Sequence, residues 1–150
     1  MMRKIIFTND IFNKCDKSNI DLKCILIEDL TQLDVNKIYI LSLIDHFNNR
    51  YKWNGMFDFK EVSERISNNH KLHILFYKNI EIGYVWIREV DNDKCFAYNL
   101  FVRKNIDRPD DAPKWLLSEV YDECLKKYKK NRNGNRRLEL CCFKCSFIIG

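Results

Sequence analysis

The chain has 150 residues, a length that suits one domain with a buried core, and its 46% hydrophobic and 31% charged residues exclude a disordered protein. The net charge of +5 permits an anionic ligand without requiring nucleic acid. No stretch approaches the ~18 apolar residues of a membrane span and no signal peptide is apparent, so we expect a cytoplasmic protein without a membrane partner.

The N-terminal part contains two candidate strands separated by a polar segment. Residues 1–22 form an extension in which 4–8 has the composition of a strand, whereas 13–21 is polar and predicts a loop. The apolar run at 24–27 has the length of a buried strand.

Two helices are predicted next. The first covers 34–49, with Asp34 as its N-cap, and the second covers 59–68, with Asp58 as its N-cap. The apolar stripe predicted for the first helix follows a spacing of three residues. It consists of Ile38, Leu41, Ile44 and Phe47.

Three β-rich runs follow, joined by short polar connections at 78–81 and 91–93. The runs cover 71–77, 82–90 and 95–102, and together they predict an antiparallel meander.

A helix over 112–130 and a last strand over 138–143 complete the pattern. A crossover of that length allows the last strand to lie parallel to the third meander strand. The expected fold class is therefore a single α/β domain with a mixed, mostly antiparallel central sheet and helices on both faces.

This order of elements resembles that of the GNAT N-acetyltransferase superfamily, and the resemblance covers 24–142. The run 97–102 looks like the end of the family's fourth strand. The run 108–117 keeps the spacing between the first basic residue and the final two leucines of the family's coenzyme A loop. The resemblance implies an acyltransferase that moves an acetyl group from acetyl-coenzyme A to an amine on a small molecule or a protein.

The resemblance also implies the site. The thioester carbonyl would bind a backbone N–H near Asn99, Leu100 or Phe101, and cationic side chains of the loop would meet the phosphates. The expected cofactor-binding residues are Leu100, Phe101, Val102, Arg103, Lys104, Arg108, Asp111, Ala112 and Lys114.

Glu89 and Tyr98 are the candidates for the catalytic base that takes a proton from the acceptor ammonium. Each has a second interpretation, since Glu89 could be a solvated charge and Tyr98 a packing residue. Strand alternation predicts Tyr98 and Leu100 on one face of the sheet, with Asn99 and Phe101 on the other.

Two departures from the family pattern favour an alternative. Asp111 and Pro113 stand where the family has small residues, and the family's C-terminal helix and strands have no counterpart after 143. The alternative is a catalytically inactive module that acts through a protein partner or as a homodimer, with an exposed apolar surface where the family's last strands would lie.

Metal binding and nucleic-acid binding have weaker support in the sequence. Cys142 and Cys145 lack a second pair of zinc ligands, so no metal site is predicted. The basic run 126–132 is best explained as the solvated end of a helix, which makes nucleic acid an unlikely partner. Three aromatic residues between the first two helices either line the acceptor site, as the resemblance implies, or cap the sheet. They are Tyr51, Trp53 and Phe57.

Overall fold

A computed structural model describes the backbone of residues 2–7, 21–50, 58–91, 94–127 and 137–143, and the side chains of 21–49, 58–88 and 97–123. Within these ranges the chain forms strands and helices in an order close to the predicted one. In chain order they are β1 (Met2–Phe7), β2 (Leu22–Ile27), α1 (Leu30–Val35), α2 (Lys37–Arg50), α3 (Phe59–Ser67), β3 (His70–Tyr77), β4 (Ile80–Asp91), β5 (Lys94–Val102), α4 (Ala112–Lys127) and β6 (Arg137–Phe143).

The strands form one mixed sheet in the order β1-β6-β5-β4-β3-β2. The pairs β2–β3, β3–β4 and β4–β5 are antiparallel, whereas β6 lies parallel to β5. Helix α4 makes the crossover between these two parallel strands, as the sequence predicted. The mixed α/β fold class is therefore confirmed.

Strand β1 lies antiparallel to β6, from Met2 opposite Phe143 to Phe7 opposite Leu138. The sequence predicted the strand at 4–8 but not its place in the sheet. β1 therefore takes up the backbone hydrogen bonds along one edge of β6. The side chains of both strands lie outside the described side chains, so the exposed apolar surface expected in this region stays a prediction.

The hairpin between β3 and β4 turns on two residues. Lys78 has φ 50° and Asn79 has φ 66°, the pair of positive values that a type I′ turn requires. This turn suits the right-handed twist of the flanking strands and sets their register. The second connection, at 92–93, lies outside the described residues.

The first predicted helix is two helices in the structure. Helix α1 begins at Leu30, where the Asp29 carboxylate accepts a hydrogen bond from the Gln32 backbone N–H at 2.8 Å. Asn36 separates it from α2. The prediction of Asp34 as the N-cap was therefore wrong, since an equally good capping residue stands five positions earlier.

The buried face of α2 also differs from the predicted stripe. Ile38 is 72% exposed and Leu41 is 45% exposed. A spacing of three residues drifts around the helix, whereas a spacing of three and four alternately stays on one face. The buried residues follow that second rule, and they are Ile40, Leu43, Ile44 and Phe47.

Helix α3 agrees with the prediction. The Asp58 carboxylate accepts from the Glu61 backbone N–H at 2.8 Å, and Val62 and Ile66 are buried. Helices α1 to α3 cover one face of the sheet and α4 covers the other, so the sheet separates two apolar cores. No helix in the described part of the chain is both long enough and apolar enough to cross a membrane.

Candidate active site

A bulge in β5 is centred on Asn99. Tyr98 pairs with Trp86 and Phe101 pairs with Tyr84, so Val85 alone stands opposite two residues of β5. Asn99 has φ 52°, in the left-handed region that asparagine tolerates better than most residues.

The bulge reverses the alternation of side chains. Leu100 joins Ala97 in the core beneath α4, whereas Phe101 lies with Tyr98 on the face covered by α1 to α3. The prediction that Tyr98 and Leu100 share a face was therefore wrong, because strand alternation assumes that no extra residue is inserted.

Strands β5 and β6 part at the same place. Their last paired residues are Tyr98 and Cys141. Beyond this pair β5 continues to Val102, and β6 continues to Phe143 while still paired with β1. The β5 segment 99–102 thus has an edge that no pairing with β6 occupies.

Gly83 of β4 fixes the other side of this segment. A Cβ atom at Gly83 would lie 2.4 Å from the Phe101 carbonyl oxygen and 3.0 Å from the Val102 Cα. Only glycine lets β4 approach β5 so closely just after the bulge. The backbone of 99–102 is therefore held from the β4 side and is not paired with the described part of β6.

A cavity of about 160 Å³ lies where β5 leads into the loop after it. The Phe101 ring in its wall packs edge-to-face on Phe47 of α2, with centroids 5.4 Å apart. Arg103 and Lys104 make the cavity electropositive. The lining residues are His46, Phe101, Arg103, Lys104, Asn105 and Ile106.

Arg108 holds the loop together from within. Its Nε donates to the Arg103 carbonyl at 2.6 Å, and its Nη1 donates to the Pro109 carbonyl at 2.9 Å. Burial lowers the pKa of this guanidinium, although Asp110 opposes the shift. Arg108 is therefore committed to its own loop, whereas Arg103 and Lys104 line the cavity.

Helix α4 begins directly after this loop. The Trp115 N–H donates to the Asp111 carbonyl at 2.8 Å, and the Ala112 N–H donates to the Pro109 carbonyl at 3.2 Å. Pro113 lies in the first turn and has no N–H. The start of α4 thus offers fewer backbone donors to an anion than a regular helix does, and Asp110 and Asp111 are exposed beside it.

A second group of residues surrounds Tyr98 on the side of α3. The Tyr98 hydroxyl hydrogen-bonds His70 Nδ1, and the Tyr98 ring stacks on Trp86 with centroids 6.3 Å apart. The Arg65 guanidinium lies 5.2 Å from the Trp86 centroid and 5.6 Å from the Tyr98 centroid. Glu61 pairs with Arg65 at 3.5 Å. We call these five residues the Tyr98 cluster.

The environment keeps both hydrogen-bonded groups neutral at pH 7. Burial raises the pKa of Tyr98 to about 12. Desolvation lowers the pKa of His70, and the charges of Arg65 and Arg88 lower it further. The pair is therefore a phenol against an uncharged imidazole.

The structure brings together only some of the predicted site residues. Phe101, Arg103 and Lys104 line the cavity, and Tyr98 lies in its own cluster. Asp111 and Lys114 lie at the start of α4. Three predicted cofactor-binding side chains are instead buried in the core beneath α4, and they are Leu100, Val102 and Ala112.

Several predicted residues cannot be placed. Glu89 pairs with Cys95 through its backbone, but its side chain lies outside the described side chains. The side chains of the aromatic residues in 51–57 and of Cys142 and Cys145 also lie outside the described side chains. Among the described side chains, no group of three His, Cys, Asp or Glu residues could hold a metal ion.

Sequence reasoning missed His70. His70 stands opposite Arg88 only because the register between β3 and β4 shifts between Leu75 and Phe76, so the turn at 78–79 does not determine this pairing alone. Residue 86 stands next to Tyr98, one diagonal step from His70. These shifts have no local signal in the sequence.

Comparison with known proteins supports the fold. No protein-family model matches the chain, and no characterised protein matches it by sequence. Solved structures do match. A functionally unknown conserved protein from Staphylococcus epidermidis is 12% identical with a TM-score of 0.56, over 93% of this chain and 50% of that one.

Two acetyltransferases match over more of their own length. An aminoglycoside acetyltransferase from an uncultured soil metagenomic sample, in complex with trehalose, is 15% identical with a TM-score of 0.55, over 84% of this chain and 79% of that one. A ribosomal-protein-alanine N-acetyltransferase from Brucella melitensis biovar Abortus is 11% identical with a TM-score of 0.57, over 83% and 82%. This chain therefore shares the fold of these acetyltransferases. It spans about half of the Staphylococcus protein.

Proposed function

We propose that this chain is an N-acyltransferase that transfers an acetyl group from acetyl-coenzyme A to an amine of a small molecule or a protein. The observation that carries the proposal is the parting of β5 from β6 after Tyr98, at a bulge where Asn99 is left-handed. A GNAT-like fold alone would not be enough, because one fold hosts many functions.

The edge of 99–102 that does not pair with β6 suits an acyl-pantetheine chain. An extended ligand can hydrogen-bond the backbone groups of a strand edge much as another strand does. A backbone N–H near the bulge would then polarise the thioester carbonyl and stabilise the oxyanion that forms when the amine attacks. Gly83 holds this backbone from the β4 side, so the backbone needs little reorganisation when the ligand binds.

The phosphates would be bound mainly by side chains. Arg103 and Lys104 lie at the cavity beyond the bulge, whereas Pro113 and the carboxylates of Asp110 and Asp111 weaken the start of α4 as an anion site. We therefore expect coenzyme A binding to weaken with added salt more steeply than binding through backbone N–H groups would.

Arg108 contributes by shaping the loop. A lysine at this position would keep the positive charge but could not bond two carbonyls as the guanidinium fork does. If Arg108 acts through the loop, Arg108→Lys and Arg108→Ala weaken acetyl-coenzyme A binding to a similar extent. If it acts as a phosphate partner, Arg108→Lys retains most of the affinity.

The reaction needs a free amine, a held carbonyl and a leaving thiolate. The amine nitrogen attacks the thioester carbon, the C–S bond breaks, and the departing thiolate takes up the proton that the nitrogen loses as the amide forms. Tyr98 stands at the last pair before the strands part and has a neutral hydroxyl, which supports a role for it next to the attacking amine.

Calorimetric titration of acetyl-coenzyme A tests the proposal. We expect binding that Lys104→Ala weakens about tenfold, in line with the loss of one charge-assisted contact of ~1.4 kcal/mol. Lys60→Ala, which removes an exposed lysine on α3, is the matched control and should leave binding unchanged. No heat from the wild-type protein would refute the proposal and favour the interaction module, which pull-down of a protein partner would then examine.

A further inference from the structure

In the Tyr98 cluster, a hydrogen bond joins His70 of β3 to Tyr98 of β5 across the intervening strand β4. Tyr98 is the last residue of β5 to pair with β6, and His70 begins β3 on the far side of β4. Trp86 of β4 lies between them, stacked on Tyr98 and edge-on to His70, with centroids 6.5 Å apart. The pair is thus fixed at the point where β5 and β6 part.

The direction of the hydrogen bond follows from the third partner. The Arg65 guanidinium lies 5.6 Å from the centroid of the Tyr98 ring. A guanidinium has only donors, so it offers the phenol proton no acceptor, whereas His70 Nδ1 is within hydrogen-bonding reach and can accept it. His70 is then the tautomer with its proton on Nε2. A hydroxyl oxygen has two lone pairs, and one of them remains for a donor on a substrate.

We propose that His70 takes up, through the Tyr98 hydroxyl, the proton that the acceptor ammonium loses. This inference rests on the proposed acyltransferase function. An N–H proton of the ammonium passes to the Tyr98 oxygen while the Tyr98 proton passes to His70 Nδ1. The amine keeps the electron pair of the broken N–H bond for its attack, Tyr98 remains a phenol, and His70 becomes an imidazolium. When the products leave, His70 releases its Nδ1 proton to water, which restores the tautomer with the proton on Nε2.

The charges around His70 suit a transient imidazolium. Arg65 and Glu61 face the pair from α3, Arg88 is opposite His70 on β4, and Tyr98 faces it from β5. Desolvation and, after it, the two guanidiniums lower the pKa of His70, so the ring rests in the neutral form that accepts a proton and releases that proton promptly. His70 is half-buried, so water can reach the ring.

A purely structural role makes a different prediction. A hydrogen bond that only orients Tyr98 needs an acceptor at the Nδ1 position, whether or not that acceptor titrates. The amide oxygen of His70→Asn provides such an acceptor but cannot take up a proton near neutral pH. This variant therefore separates positioning from proton transfer.

The test uses acetyl transfer to a panel of amines (polyamines, an aminoglycoside and peptide N-termini), with coenzyme A release followed by chromatography. For the wild-type protein we expect kcat to be level above pH 6.5 and to fall tenfold per unit below the pKa of His70. We expect His70→Asn to lower kcat at pH 7 by about 100-fold, to leave KM little changed and to lack the acid limb.

Control variants separate loss of the proton relay from loss of folding. Tyr98→Phe should lose activity like His70→Asn, whereas Tyr77→Phe, the same change at the other end of β3, should not. His70→Gln is a second variant in case His70→Asn fails to fold. Full kcat with an intact acid limb in folded His70→Asn would overturn the relay alone. Failure of the wild-type protein to transfer acetyl to any amine would overturn the proposed function, and the relay with it.

Nuclear magnetic resonance of the ¹⁵N-labelled histidine rings gives a reading that needs no acceptor. We expect His70 to be neutral at pH 7 with the proton on Nε2, and we expect the Nδ1 signal to shift in Tyr98→Phe. A proton on Nδ1 at pH 7 would overturn the relay whatever the activity.

Discussion

His73 should make the folded protein sensitive to acid. Its side chain is 4% exposed within β3, and neither ring nitrogen has a hydrogen-bond partner among the described residues. Burial lowers the pKa of His73 from 6.5 to about 4, and Lys71 contributes to the shift. The unfolded chain therefore binds a proton at a pH where the folded chain does not.

The sign and size of the effect follow from linkage. The stabilising contribution of neutral His73 is complete above pH 6.5 and is lost as the pH falls toward 4. Between pH 7 and pH 5 the loss of unfolding free energy is about 2 kcal/mol, and below the folded pKa it reaches about 3 kcal/mol.

Urea unfolding of the wild-type protein and of His73→Leu, followed by tryptophan fluorescence, provides the assay. The leucine is similar in size and removes two unsatisfied polar atoms, so we expect it to be more stable by about 1–3 kcal/mol at pH 7. Carboxylates titrate in both proteins, so the difference isolates His73. Equal losses of stability between pH 7 and pH 5 in the two proteins would refute the reasoning.

Three further changes test the local geometry. Gly83→Ala places a Cβ against the Phe101 carbonyl and should cost about 1–3 kcal/mol, read as a fall in Tm, and unchanged Tm would contradict the close approach. Asn99→Gly should keep full stability, whereas Asn99→Val should lose about 1–2 kcal/mol by denaturant titration, and equal stability of the two would argue against the left-handed bulge. Asp58→Ala should cost about 1 kcal/mol and Asp58→Asn much less, and a similar loss in both would mean that the N-cap contributes by charge alone.

Much of the fold could be predicted because its signals are local. Neighbouring residues alone determine three of its features: the N-cap at Asp58, the turn that begins at Lys78 and the crossover helix after 112. The place of β1 could not be predicted in this way, since its pairing with β6 joins residues more than a hundred positions apart.

The candidate site was harder to predict than the fold. The bulge at Asn99 inserts one residue, and one residue is enough to move every later side chain of a strand to the other face. Leu100 and Phe101 therefore exchanged their expected environments. His70 escaped notice because its role depends on register through β4 and on contact with Arg65, neither of which a local pattern contains.

The central claim is that acetyl-coenzyme A binds where β5 parts from β6. Amide hydrogen exchange, measured with and without acetyl-coenzyme A, tests it most directly. We predict slower exchange in peptides that cover 99–106, with little change in α1 and in the turn at 78–79. Unchanged exchange at 99–106 under saturating ligand, or protection confined to another part of the chain, would contradict the claim.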